Sequence, residues 1–202
     1  MNIADKLTFF RLGIVPFLIL FFVVDTFEYG LAGDYLKIIS CILFILGAIS
    51  DGMDGYYARK YKLVSNAGKL WDPVADKILV CSTLILLSST SFIPFYMTVI
   101  IVARELFVSG IRLVSIERGK LISASSLGKW KTGFQLGYII TVMVFISFEI
   151  LMYRFIPQNF EHITDYFIKY RVYIYYVLEI ITLYFTIVSG YHYYKNYRED
   201  NI

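Results

Sequence analysis

The chain is poor in charge. Only 17% of its 202 residues are Asp, Glu, Lys or Arg, against 58% apolar residues. Soluble domains carry about 25% charged residues, so this composition points into a lipid bilayer. Cysteine is equally scarce. Cys41 and Cys81 both lie in apolar runs, which excludes a disulfide framework and leaves no zinc-site spacing. Internal repeats and low-complexity tracts are absent, and no small-residue cleavage site follows the charged N-terminal segment, so a removable leader is not expected. His162 and His192 stand alone and read as polar surface residues.

What is abundant is long apolar sequence. Six segments, 12–27, 35–57, 71–88, 92–115, 130–153 and 172–194, approach the ~20 residues needed to cross a bilayer as a helix. Gly30, Gly33, Pro94 and Pro157 fall in the connections, where helix breakers belong. Residues 1–11 alternate apolar and polar side chains and predict a short amphipathic helix lying at the membrane surface. The expectation is an all-α integral membrane protein: one domain over residues 1–202, with six transmembrane helices behind a short interfacial helix. All but four of the nineteen basic residues (Lys37, Arg154, Lys169 and Arg171) fall on the side that holds both termini. The positive-inside rule makes that side cytoplasmic. The tyrosines and phenylalanines of 166–176 and 191–197 suit an interfacial aromatic belt. Gly133 and Gly137 form a GxxxG pair, which permits close helix packing.

Against this apolar background one stretch stands out. Asp51, Asp54, Asp72 and Asp76 lie between two apolar segments, with Gly55, Ala58, Arg59 and Gly68 among them. An aspartate at the centre of a membrane helix costs about 2.5–3.5 kcal/mol, so four together need a reason. The spacings of three and four residues put each pair on one helix face. Two such pairs converging would repel unless a cation sat between them, and an oxygen-only ligand set suits Mg²⁺ or Mn²⁺. A solvated polar loop is the bland alternative, but loops rarely repeat carboxylates at helical spacing. Gly55 and Ala58 leave room for a ligand or for close helix packing, Arg59 offers a planar donor fork for a diphosphate, and Gly68 relieves crowding at a turn. Pro73 suggests a helix start with Asp72 as its N-cap.

The pattern Asp-x2-Asp-Gly-x2-Ala-Arg-x8-Gly-x3-Asp-x3-Asp is met in full between Asp51 and Asp76. It resembles the signature of the CDP-alcohol phosphotransferases, integral membrane enzymes that build phospholipids. The resemblance implies that Asp51, Asp54 and Asp72 ligate metal, that Asp76 adds to the site and takes the proton from the attacking alcohol, and that the cytidine lies near Gly55 and Ala58. Two ions could grip both the attacked and the leaving phosphate. Residues 8–25, 103–120 and 123–135 also resemble one bacterial branch of the family, which joins CDP-diacylglycerol to glycerol 3-phosphate. That likeness implies phosphatidylglycerophosphate and CMP as products, a homodimer, and no nucleic-acid partner. It makes Arg112, Lys129 and Lys131 the first candidates for the acceptor phosphate, with Arg104 close behind. Arg104 and Arg112 are about 80° apart around a helix and broadly on one side. A structural ion pair of Arg104 with Glu105 or with the aspartates is the competing account of these cations. A sibling enzyme with another alcohol, or a cation transporter, are the rival functions. A transporter would place its acids near the midplane, not beside Arg59, Lys60 and Lys62.

Overall fold

A computed structural model gives the architecture. It describes residues 3–27, 31–61, 66–118, 126–155 and 161–199, with side chains described over 7–22, 33–52, 74–118, 126–155 and 166–199. The described residues form six helices: α1 (Ile3–Phe27), α2 (Leu31–Tyr61), α3 (Asn66–Ser89), α4 (Phe95–Glu117), α5 (Ser126–Phe155) and α6 (Glu161–Glu199). Each contains or nearly contains one of the six apolar segments.

Among the described residues three stretches, Gly33–Gly52, Ser126–Phe155 and Tyr166–Glu199, are long and apolar enough to cross a membrane, and Leu7–Phe22 is a shorter apolar helix. Six transmembrane helices are thus not all established by length and composition. The apolar run of α4 is interrupted by Arg104, Glu105 and Arg112, and that of α3 carries Asp76 and Lys77.

Two expectations are corrected. Residues 3–11 are not a separate interfacial helix: they run on without a break into the first apolar segment as α1, through Pro16. Thr8 and Arg11 within that stretch are buried. Nor does Pro73 start a helix. Helix α3 begins at Asn66, so Asp72 is not an N-cap, and Asp72 and Asp76 lie in one helical run.

The core forms where α1, α2, α3, α4 and α5 meet. Ile14, Leu18 and Phe22 recur one turn apart on α1 and pack with Phe44, Leu79, Leu84, Met97, Ile139 and Met143. Many large apolar side chains instead point outwards, including Phe17, Leu20, Leu106, Leu113, Ile180 and Ile187. Water would not favour that arrangement; lipid would. Helix α1 packs along α2 and α3, α5 along α2 and α6, and α4 along α6. Gly47 allows α2 to approach α3 closely, since a Cβ there would meet Leu79 Cδ2 at 2.9 Å. At Gly133 and Gly137 nothing among the described residues lies within 4 Å of an added Cβ.

Helix α3 ends in a Schellman turn. The amide of Phe92 donates to the Leu87 carbonyl (2.9 Å) and that of Ser91 to Ser88 (3.1 Å). Ser91 takes the left-handed position, φ 61°, which glycine usually fills.

Candidate active site

The acid motif straddles the short connection between α2 and α3, with Asp51 and Asp54 towards the end of α2 and Asp72 and Asp76 near the start of α3. The register of the two helices follows from the Gly47–Leu79 contact. Counting outward from it, Asp51 comes level with Asp76, and Asp54 with Asp72, each to within a residue. All four aspartates, with Gly55, Ala58, Arg59 and Gly68, therefore lie on the facing ends of two helices. The side chains of Asp54, Gly55, Ala58, Arg59, Gly68 and Asp72 lie outside the described residues.

Asp51 and Asp76 are described. Both are partly buried, and Asp76 stands within electrostatic reach of Asp51, Arg11, Lys131 and Lys77. Arg11 of α1 is fully buried and its Nη1 lies 2.6 Å from Asp51 Oδ1. One residue earlier, Ser50 Oγ donates to the Leu7 carbonyl at 3.4 Å. Helix α1 is thereby fastened to α2 beside the motif. Sequence reasoning used Arg11 as a topological charge and as a polar member of the expected N-terminal amphipathic helix. The overlooked signal was that a cation followed by a long apolar run needs a buried anionic partner.

Among the described residues no three His, Cys, Asp or Glu side chains converge to hold a metal. The donor chemistry nevertheless fits a hard divalent ion. Asp51 and Asp76 supply oxygen at one level of the hairpin, and Asp54 and Asp72 stand on the same two helices one turn nearer their connection.

Beyond Asp76 lies a basic cluster. Lys131 of α5 is 4% exposed. It donates to Glu105 Oε1, which also accepts from Arg104 Nη1 at 3.4 Å. Arg104 Nη2 donates to Ser189 Oγ at 3.0 Å, and Arg112 Nη2 donates to Tyr193 Oη at 3.1 Å. Lys77, one residue after Asp76, is within electrostatic reach of Arg112 and Arg104. Three predicted anion-binding residues, Arg104, Arg112 and Lys131, are thus brought to one region. Lys129 is not: it is exposed, two residues and so about 200° around α5 from Lys131.

The ion-pair account of Arg104 holds in that Glu105 binds both Arg104 and Lys131. It does not exhaust the donors. Arg104 Nε is buried without a hydrogen-bond partner among the described residues, and an ammonium carries three N–H groups. Sequence reasoning missed Ser189 and Tyr193, because α6 reads as a generic apolar helix. Gly190 leaves space between them: a Cβ there would press on the Arg104 side chain at 3.3 Å. Tyr193 is buried, so it does not belong to the aromatic belt expected around it.

A family model described as CDP-alcohol phosphatidyltransferase matches residues 1–188. The CDP-diacylglycerol–glycerol-3-phosphate 3-phosphatidyltransferase of Bacillus subtilis is 34% identical over 200 residues, covering 96% of this chain and 94% of that protein. Proteins of the same name from Mycoplasma genitalium and Rickettsia bellii are 37% and 35% identical, over 73% and 71% of this chain and 67% and 75% of their own lengths.

Proposed function

The chain belongs to the CDP-alcohol phosphatidyltransferase family, and from that premise we propose that it transfers a phosphatidyl group from CDP-diacylglycerol to glycerol 3-phosphate. The products are phosphatidylglycerophosphate and CMP. The observation that carries this reading is the juxtaposition of Asp76 with Lys131 and Lys77, with Arg104 in turn beside Lys131. Acids suited to a cation-bound diphosphate adjoin cations suited to a second, phosphorylated substrate.

Asp51, Asp54, Asp72 and Asp76 are assigned to hold Mg²⁺ or Mn²⁺, two ions in all. Bound there, the ions neutralise the diphosphate and stabilise charge on the departing phosphate. Gly55 and Ala58 make room for the cytidine, Arg59 takes the diphosphate, and Gly68 keeps the start of α3 open. Arg104, Arg112 and Lys131 hold the acceptor phosphate, while Lys129 lies at the rim. The primary hydroxyl of glycerol 3-phosphate then faces the lipid-side phosphorus. Asp76 accepts the hydroxyl proton, the new P–O bond forms, and the bond to the CMP oxygen breaks.

In this reading all six helices of the single domain cross or enter the bacterial cell membrane, with both termini and the site at the cytoplasmic face, where glycerol 3-phosphate is available. Homodimerisation would cover the Gly133–Gly137 face of α5. The test is CMP release from CDP-diacylglycerol by the purified chain with glycerol 3-phosphate, serine, inositol phosphate or phosphatidylglycerol as acceptor. Release with glycerol 3-phosphate alone is expected. Release with serine and not with glycerol 3-phosphate would assign the chain to a sibling reaction, and metal flux without CMP would make it a transporter.

A further inference from the structure

At the opposite end of α3 from the acid motif lies a cavity of about 510 Å³, bounded by the α3–α4 turn and by α5 and α6. Its lining includes Ser88, Phe92, Tyr138, Tyr175, Tyr176 and Glu179. Ser88 is twelve residues beyond Asp76 along α3, a rise of about 18 Å, so this space is separate from the transfer site. The volume falls within the roughly 300–1,000 Å³ usual for small-molecule sites.

Two of its polar groups lack a matching partner. Glu179 is 5% exposed, accepts a hydrogen bond from Tyr96 Oη, and has no salt-bridge cation among the described residues. A cation of the same helix is engaged elsewhere: Arg171 pairs with Glu149 and stacks over Tyr175, 5.8 Å from its centroid. Tyr138 is 1% exposed, and its hydroxyl has no hydrogen-bond partner among the described residues. Tyr175, by contrast, donates its hydroxyl to the Val142 carbonyl at 3.3 Å and meets Tyr138 edge-on at 69°; with Phe92, Phe95 and Tyr176 these rings line the cavity.

A buried carboxylate inside an apolar wall calls for a cation. One carboxylate among aromatic rings is a poor seat for a hard divalent ion, which would have to keep most of its waters against a largely apolar wall. Aromatic faces around a single anion instead suit an alkylated nitrogen cation, held by the ring quadrupoles and the carboxylate together. We propose that this cavity binds an organic ammonium group, with Glu179 as its counter-ion and the Tyr138 hydroxyl as a hydrogen-bonding contact. The group could be carried by a free amine or by an aminated lipid headgroup, which share that chemistry.

The test uses the full chain in nanodiscs of phosphatidylglycerol, which contains no amine. Tetramethylammonium chloride is titrated calorimetrically against sodium chloride of equal ionic strength. In parallel, retention of phosphatidylethanolamine over phosphatidylglycerol is scored by native mass spectrometry. Saturable binding of the soluble cation identifies a site open to free amines; selective retention of the amino lipid alone identifies a headgroup site. In either arm Glu179→Gln should weaken binding about tenfold or more, as loss of a charge-assisted contact predicts. Tyr138→Phe should reduce retention of the amino lipid roughly two- to tenfold by removing the hydroxyl's hydrogen bond. Both positions lie outside the transfer machinery, so unchanged CMP release reports an intact fold. If Glu179→Gln fails to fold, the Tyr138→Phe comparison in the lipid arm decides. Absence of binding in both arms, or wild-type binding by a folded Glu179→Gln variant, would overturn the proposal.

Discussion

Replacing Lys131 by Met separates substrate recognition from packing. The Lys131 side chain is 5% exposed and that of Glu105 13%, so the pair is shielded from water. Removing one member of a buried pair costs about 3–5 kcal/mol when the other is left alone. Here Arg104 remains 3.4 Å from the same Glu105 oxygen, so a loss nearer 2 kcal/mol is expected. The methylene stem is retained in Met, which keeps cavity formation out of the comparison. The effect on catalysis is distinct. A charge-assisted hydrogen bond to the acceptor phosphate contributes about 1.5–3 kcal/mol, which corresponds to a roughly 10- to 150-fold rise in KM for glycerol 3-phosphate. The assay is CMP release in mixed micelles, varying each substrate with the other saturating. KM for CDP-diacylglycerol should change by less than about threefold, because that substrate would not touch Lys131. The double variant Lys131→Met/Glu105→Gln completes the design. It removes the carboxylate as well and leaves Arg104 without its anionic partner, so it should be no more stable than the single variant and should not recover KM. Equal rises in both KM values, or recovery of acceptor KM in the double variant, would show that Lys131 only braces the helices.

Asp54→Ala and Asp72→Ala should each lower transfer by at least about a thousandfold by deleting a metal ligand; near-normal CMP release from both would exclude the metal assignment. Arg11→Met should leave acceptor KM unchanged while lowering kcat about tenfold or more, because Asp51 loses the guanidinium that orients it at 2.6 Å. An unchanged kcat in the folded variant would make that ion pair purely structural. Gly190→Val should raise KM for glycerol 3-phosphate several-fold by displacing Arg104, whose side chain would already lie 3.3 Å from a Cβ. An unaltered KM would remove Arg104 from the acceptor pocket.

The helices were legible because each apolar run is near the length a bilayer demands and is bounded by turn residues. The hairpin placement of the acids was legible for the same reason: their spacings match a helical turn on either side of a short connection. Pro73 misled the reading of α3. Proline favours the first turn of a helix, yet here the helix starts at Asn66 and carries Pro73 inside it. The N-terminal alternation of residues 1–11 was real, but it marks burial of Thr8 and Arg11 against neighbouring helices and not a break in α1. Arg104 and Lys131 could be found from sequence because cations in apolar segments need anionic partners. Grouping Lys129 with Lys131 ignored the 200° that two residues turn a helix. Ser189, Gly190 and Tyr193 gave no such signal: their role arises from α6 packing against α4, a contact between segments more than seventy residues apart in the chain.

The central claim is that the acids of α2 and α3 hold divalent cations on which transfer to glycerol 3-phosphate depends. The most direct measurement is the rate of CMP release from chelator-stripped protein, supplied with CDP-diacylglycerol and glycerol 3-phosphate, as Mn²⁺ is added back. No release before addition, followed by saturable recovery that is absent in Asp72→Ala, is predicted. Release at full rate in the chelator, or equal recovery in the variant, would contradict it.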